Sequence, residues 1–151
     1  MFYGGINNTI HSYNLVTGAE DNVFKGHTDT ITGLALSNSG KYLVSNSMDN
    51  TVRVWDVSPF VVGDSRLVKT LKSQGQHNFE MNLIRTAWSH DDSKIVVGSA
   101  DNNAYVWDTD TGELIHSIAG HLGAVTDVAF HPQTDILATA SRDKTVIIGN
   151  L

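Results

Sequence analysis

Cysteine is absent from this sequence, which excludes disulfides, thiolate-ligated zinc, iron–sulfur clusters and a cysteine nucleophile, and fits an intracellular protein. Positive charge is scarce: 10 Lys and Arg stand against 16 Asp and Glu, a formal net charge of −6. A protein that grips phosphates carries the opposite balance, so no direct nucleic-acid contact is expected. Every apolar run is far too short to cross a bilayer, so no membrane partner is expected either. The first ten residues hold neither a positive segment nor a long apolar one, and a secretory signal is not expected. Helical signals are missing as well, since no apolar stripe at three-four spacing persists for about ten residues. What remains is a globular composition in 151 residues, 40% hydrophobic and 17% charged. That is the length of one domain, and too apolar for a disordered chain.

What is present is repetition. Trp55-Asp56 and Trp107-Asp108 lie 52 residues apart. Asp49, Asp101 and Asp143 each stand in a turn before an alternating run, and His27, His77 and His121 precede three more. Tyr13 and Gly149 occupy the Trp place in flanking copies, so the equivalent positions 13, 55, 107 and 149 are separated by steps of 42, 52 and 42 residues. Runs such as YLVSNS, KIVVGS and TVIIGN are short, β-branched and bounded by turn residues. A period of roughly 40–45 residues with a Gly-His start and a Trp-Asp end resembles the WD40 repeat, which builds one four-stranded propeller blade.

The pattern predicts an all-β, incomplete WD40 β-propeller of about three and a half blades. The repeats cover 1–25 (partial), 26–72, 77–118 and 121–151 (partial). Strands are expected at 2–5, 9–15 and 21–25 in the first; at 31–37, 42–46, 51–57 and 67–72 in the second; at 83–89, 94–98, 104–109 and 113–118 in the third; and at 125–131, 136–140 and 145–151 in the fourth. The extra residues of the middle repeat fall within 58–66 and 78–82, in loops of the kind that carry binding. With both end blades short of a strand, the chain reads as the C-terminal half of a larger protein or a truncated gene product. Its uncovered ends are expected to make it self-associate imperfectly rather than close a native-like ring.

His27, Ser45, Asp49 and Trp55 recur as a set: His77, Asp101 and Trp107 in the third repeat, with Val97 at the hydroxyl position, and His121, Thr139 and Asp143 in the fourth, with Gly149 at the Trp position. Ser, His and Asp together invite an enzyme reading, but a triad needs one exposed nucleophile rather than a copy in each repeat. No catalytic residue is expected. The likeness to WD repeats implies instead a buried hydrogen-bond chain that fixes each blade. The third blade, lacking the hydroxyl, is expected to tolerate loss of Asp101 better than the second tolerates loss of Asp49. His90-Asp91-Asp92 reads as a turn rather than a metal site, Asn7-Asn8-Thr9 as a turn rather than a glycosylation acceptor, and Arg66, Lys69 and Lys72 as a solvated strand edge. No cofactor and no metal are expected. The family's habit of binding at the channel end implies a partner surface of Arg85 and Asp127, which align with Gly33, together with Met48, Ala100 and Arg142 before the turn Asp positions.

The stretches 26–60, 77–108 and 138–151 go beyond the generic repeat. They are similar to the WD-repeat subunits of the U5 small nuclear ribonucleoprotein, most specifically in Asn46-Ser47-Met48-Asp49-Asn50-Thr51-Val52-Arg53-Val54-Trp55-Asp56, Pro59-Phe60 and His77-Asn78-Phe79-Glu80. The resemblance implies a non-enzymatic nuclear scaffold of pre-mRNA splicing that contacts the large central U5 protein, and the acidic balance agrees with attachment through protein. The alternative is a generic WD-repeat adaptor such as a ubiquitin-ligase substrate receptor. Its frequent Trp-Asp-x-Arg mark is absent here, because Trp55-Asp56 is followed by Val57-Ser58 and Trp107-Asp108 by Thr109-Asp110.

Overall fold

A computed structural model describes residues 1–61, 65–71 and 82–151. His77, Lys72, the Asn78-Phe79-Glu80 motif and parts of both inserted loops lie outside the described residues. The strands form four antiparallel sheets. Blade one holds β1 (Phe2–Gly4), β2 (Thr9–Asn14) and β3 (Ala19–Lys25). Blade two holds β4 (Ile31–Leu36), β5 (Tyr42–Ser47), β6 (Val52–Asp56) and β7 (Leu67–Leu71). Blade three holds β8 (Thr86–Trp88), β9 (Lys94–Gly98), β10 (Ala104–Asp108) and β11 (Leu114–Ile118), and blade four β12 (Val125–Phe130), β13 (Ile136–Ser141) and β14 (Val146–Asn150). Strands follow one another in space as in sequence. This is the antiparallel meander of an incomplete propeller.

The core lies between blades. Ile10 and Phe24 of blade one meet Ile31, Leu43 and Trp55 of blade two. Val44, Val52, Val54 and Leu71 of blade two meet Ile95, Val97, Tyr105 and Trp107 of blade three. Val96, Ala104 and Val106 of blade three meet Val125, Val128 and Leu137 of blade four. A middle strand is thus buried on both faces, which is why KIVVG and AYVWD are continuous apolar runs rather than alternating ones.

The turn that leads into β2, β6, β10 and β14 repeats in detail. Asn8, Asn50, Asn102 and Lys144 all take a left-handed backbone, with φ of 62°, 61°, 72° and 70°. Asn adopts that conformation more readily than Lys. The ladder into the outer strand slips at Ser12/Tyr13, Val54/Trp55 and Val106/Trp107, always beside the Trp-equivalent position.

One strand is shorter than its sequence pattern. The expected span 83–89 is a strand only over Thr86–Trp88. The backbone before it bonds to neighbouring blades instead of to β9. The Ile84 carbonyl accepts from Thr32 Oγ1 at 3.0 Å and Asn46 Nδ2 at 3.1 Å, and the Arg85 N–H donates to the Thr126 carbonyl at 3.0 Å.

Candidate functional site

Two relays run through the blades. In blade two, His27 Nδ1 lies 2.8 Å from Asp49 Oδ2, and His27 Nε2 lies 2.7 Å from Ser45 Oγ. The Trp55 indole N–H donates to the same hydroxyl at 2.8 Å. With the Nδ1 proton toward the carboxylate, the order of donation is indole to hydroxyl to imidazole, and imidazole to carboxylate. Burial pushes the Asp49 carboxyl up, but the bonds from His27, the Thr51 hydroxyl and the Thr28 backbone N–H outweigh it and hold it well below the usual carboxylate range. In blade four, His121 Nε2 lies 2.9 Å from Thr139 Oγ1 and His121 Nδ1 lies 3.1 Å from Asp143 Oδ2. The Thr145 hydroxyl is the main group holding Asp143 low, against burial and with the Leu122 N–H and His121. Gly149 stands where Trp55 stands.

Blade three is built differently. Val97 carries no hydroxyl, and the Tyr105 hydroxyl donates to Asp101 Oδ2 instead. Burial, then contact with Asp101, pushes the Tyr105 phenol up to about 12. For Asp101, burial raises the carboxyl but bonds from Tyr105, Ser99 and Asn103 bring it below its ordinary value. Trp107 is fully buried. The sequence signals this difference in Val97 at the hydroxyl position and in Tyr105 at the position of Arg53.

The relays of blades two and four are closed off from solvent. Ser45 is completely buried and His27 is 7% exposed, so this Ser–His pair does not present a nucleophile to solvent. No group of three or more His, Asp or Glu gathers as a metal would need among the described residues.

The open surface lies at the propeller channel. A groove of about 500 Å³ is lined by Gly33, Leu34, Arg85, Thr86, Asp127 and Val128 among others. The inner strands approach closely there, since a Cβ on Gly33 would stand 3.0 Å from the Ile84 carbonyl. Arg85 Nη1 lies 3.7 Å from Asp127 Oδ2, with both side chains more than half exposed. Arg142 is exposed and donates to Asn82 Oδ1 at 3.0 Å. Met48 and Ala100 are half-buried, and Met48 packs on the core between blades two and three. The structure therefore brings Arg85 and Asp127 together, whereas Met48 offers little surface.

Several residues read as plain surface in the sequence tie blades to one another. Asp92 accepts from the Asn38 and Ser39 backbone N–H groups at 2.7 and 2.8 Å, clasping blade two to blade three. Lys94 reaches Asp135 at 3.3 Å across the next junction. Lys69 and Arg66 depart from the expected solvated edge. Lys69 donates to the Thr109 and Asp110 carbonyls of blade three. Arg66 donates to the Ser58 carbonyl at 2.8 Å and lies over the Phe24 ring. A long cationic stem at a blade junction finds the unpaired carbonyls of the neighbouring turn, which sequence alternation does not reveal.

The sequence matches the family described as "WD domain, G-beta repeat" over residues 18–56, 66–108 and 112–148. It is 47% identical to the "U5 small nuclear ribonucleoprotein 40 kDa protein" of Homo sapiens over 84% of this chain and 35% of that protein. It is 42% identical to the protein of the same name from Dictyostelium discoideum, over 83% of this chain and 47% of the relative. It is also 42% identical to the "Pre-mRNA-splicing factor cwf17" of Schizosaccharomyces pombe, over 100% of this chain and 44% of that protein. The chain thus spans less than half the length of these relatives.

Proposed function

This chain belongs to the WD40 family of G-beta repeats, and on that premise we propose that it is a non-enzymatic protein–protein interaction subunit of pre-mRNA splicing, acting in the nucleus as part of the U5 small nuclear ribonucleoprotein. The observation that carries this reading is the 47% identity to a U5 subunit over 84% of the chain. The net charge of −6 supports attachment through protein, because an acidic surface repels phosphates. The partner is the large central U5 protein. Its contact surface is the channel end, where Arg85, Asp127 and Arg142 are exposed, with Met48 and Ala100 contributing from the turns beside them. The relays of His27, Ser45, Asp49 and Trp55, and of His121, Thr139 and Asp143, hold the blades in shape for that contact, as do Asp101 and Trp107 with His77 in blade three. The repeat units are 1–25, 26–72, 77–118 and 121–151. The chain also associates with itself through its two end sheets.

Purification of the tagged chain from cell extract tests the assignment. U5 RNA and the large U5 protein should co-purify, and the protein should stay bound after nuclease digestion. Reversing Arg85 and Arg142 to Glu should reduce recovery of the protein. Recovery of a ubiquitin ligase in place of U5 components would overturn the assignment.

A further inference from the structure

In blades two and three an indole fills a fixed place on the third strand, and both rings, Trp55 and Trp107, are essentially fully buried. Around Trp55 that place is formed by Phe24 of the preceding blade, whose ring meets it edge-on at 5.9 Å, and by Leu43, Ser45 and Arg53. Strand register gives the matching residues in blade four. Ile118 pairs with Ala104 as Phe24 pairs with Ile10. Leu137 pairs with Gly149 as Leu43 pairs with Trp55, and Thr139 with Ile147 as Ser45 with Arg53. The ring itself is missing because the residue is Gly149.

The structure leaves that place open. A pocket of about 140 Å³ is lined by Ile118, Leu137, Thr139, Ile147, Gly149 and Leu151 together with Asn150. A Cβ on Gly149 would meet nothing within 4 Å. An aliphatic cavity of about 150 Å³ takes up one benzene ring. The hydroxyl of Thr139 stands at the ring position, on a residue 2% exposed and already engaged with His121 Nε2 at 2.9 Å. Its counterpart Ser45 Oγ accepts the Trp55 N–H. Among the described residues no indole donates to Thr139, since Gly149 stands at the Trp position.

We propose that this pocket binds the indole ring of a tryptophan carried by a partner polypeptide, with the ring between Ile118, Leu137 and Ile147 and its N–H donated to Thr139 Oγ1. Tryptophan is the ring this fold already seats at the same place in two other blades, and donation from it would complete the fourth relay.

The probes are indole, N-acetyl-tryptophanamide and benzothiophene, an indole isostere without the N–H, titrated into the full chain with Ile, Leu and Val methyl groups followed by NMR. Indole and N-acetyl-tryptophanamide should saturate one site and shift the Ile118, Leu137 and Ile147 methyls. Benzothiophene should bind about three- to ten-fold more weakly, and Thr139→Val should bring that ratio to about one. Gly149→Trp and Gly149→Leu should each abolish binding and raise the thermal midpoint; if the first does not fold, the second decides. Absence of saturable binding, shifts confined to Val146 and Ile148 on the opposite face, or unchanged binding by Gly149→Leu overturns the proposal. Binding of free indole without N-acetyl-tryptophanamide overturns a polypeptide source.

Discussion

At the scale of single residues, the relays set the cost of substitution. Asp49→Ala strips His27, Thr51 and the Thr28 N–H of their acceptor, and should destabilise by about 1–3 kcal/mol in denaturant melts. The sequence suggested that Asp101 matters less. In the structure Asp101→Ala would remove the carboxylate acceptor of the Tyr105 hydroxyl, a residue 1% exposed that also bonds Asn103 and Ser117. Its loss should be comparable, and a cost far below that of Asp49→Ala would show that the Tyr105 bond contributes nothing. Proton linkage gives two further checks. The Asp49 carboxyl is depressed in the fold, so the stability it confers is present above its unfolded pKa of about 4 and drains as pH falls below that value. The gap between wild type and Asp49→Asn should hold steady at neutral pH and shrink below about pH 4. The Tyr105 phenol is raised to about 12, so its contribution is complete below pH of about 10 and is lost as pH climbs from there toward 12. Tyr105→Phe should remove a phenol ionising near pH 12 from a spectrophotometric titration.

At the scale of turns and strands, backbone conformation and close approach dominate. Of the four left-handed turn positions, three hold Asn and the fourth holds Lys144. Lys144→Asn should therefore stabilise the chain by up to about 1 kcal/mol. Unchanged melting would mean that the turn of blade four is not strained by its lysine. Gly98 packs where blades three and four meet, and a Cβ there would lie 2.1 Å from the Val125 carbonyl. Gly98→Ala should cost about 1–3 kcal/mol by forcing the blades apart, whereas Gly149→Ala, facing open space, should cost little.

At the scale of the whole molecule, the interfaces inside the chain explain what its end sheets present. Blade two shows Val52 and Val54 to blade three, and the same register places Val146 and Ile148 on the far face of blade four. There they are 61% and 69% exposed. On blade one the opposite face carries Tyr3 and Val23, 44% and 39% exposed. These are the two halves of an inter-blade contact, and apolar faces of this kind drive association. The purified chain should form dimers or larger species at micromolar concentration, and charged substitutions at Val146 and Ile148 should shift it toward monomer. Light scattering showing a wild-type monomer with a sharp thermal transition would sink this expectation.

Much of this protein was legible before folding. The spacing of positions 13, 55, 107 and 149 located fourteen strands to within a few residues, because a blade buries its middle strands on both faces and so writes apolar runs at a fixed period. His27, Ser45, Asp49 and Trp55 stood out as a set for a related reason: a buried polar group must have a partner, so the partners recur together. The tertiary structure decided the rest. Residues 83–85 leave their strand because neighbouring blades supply the hydrogen bonds, and Lys69 and Asp92 become clasps because turns from another repeat come within reach. The Tyr105 hydroxyl reaches Asp101 in the blade that lacks a hydroxyl at position 97, and a glycine that reads as a lapse in the repeat becomes a pocket only when the residues around it stay in place. Local pattern fixes what each strand buries; which distant groups meet depends on how the blades stack, and no single repeat contains that information.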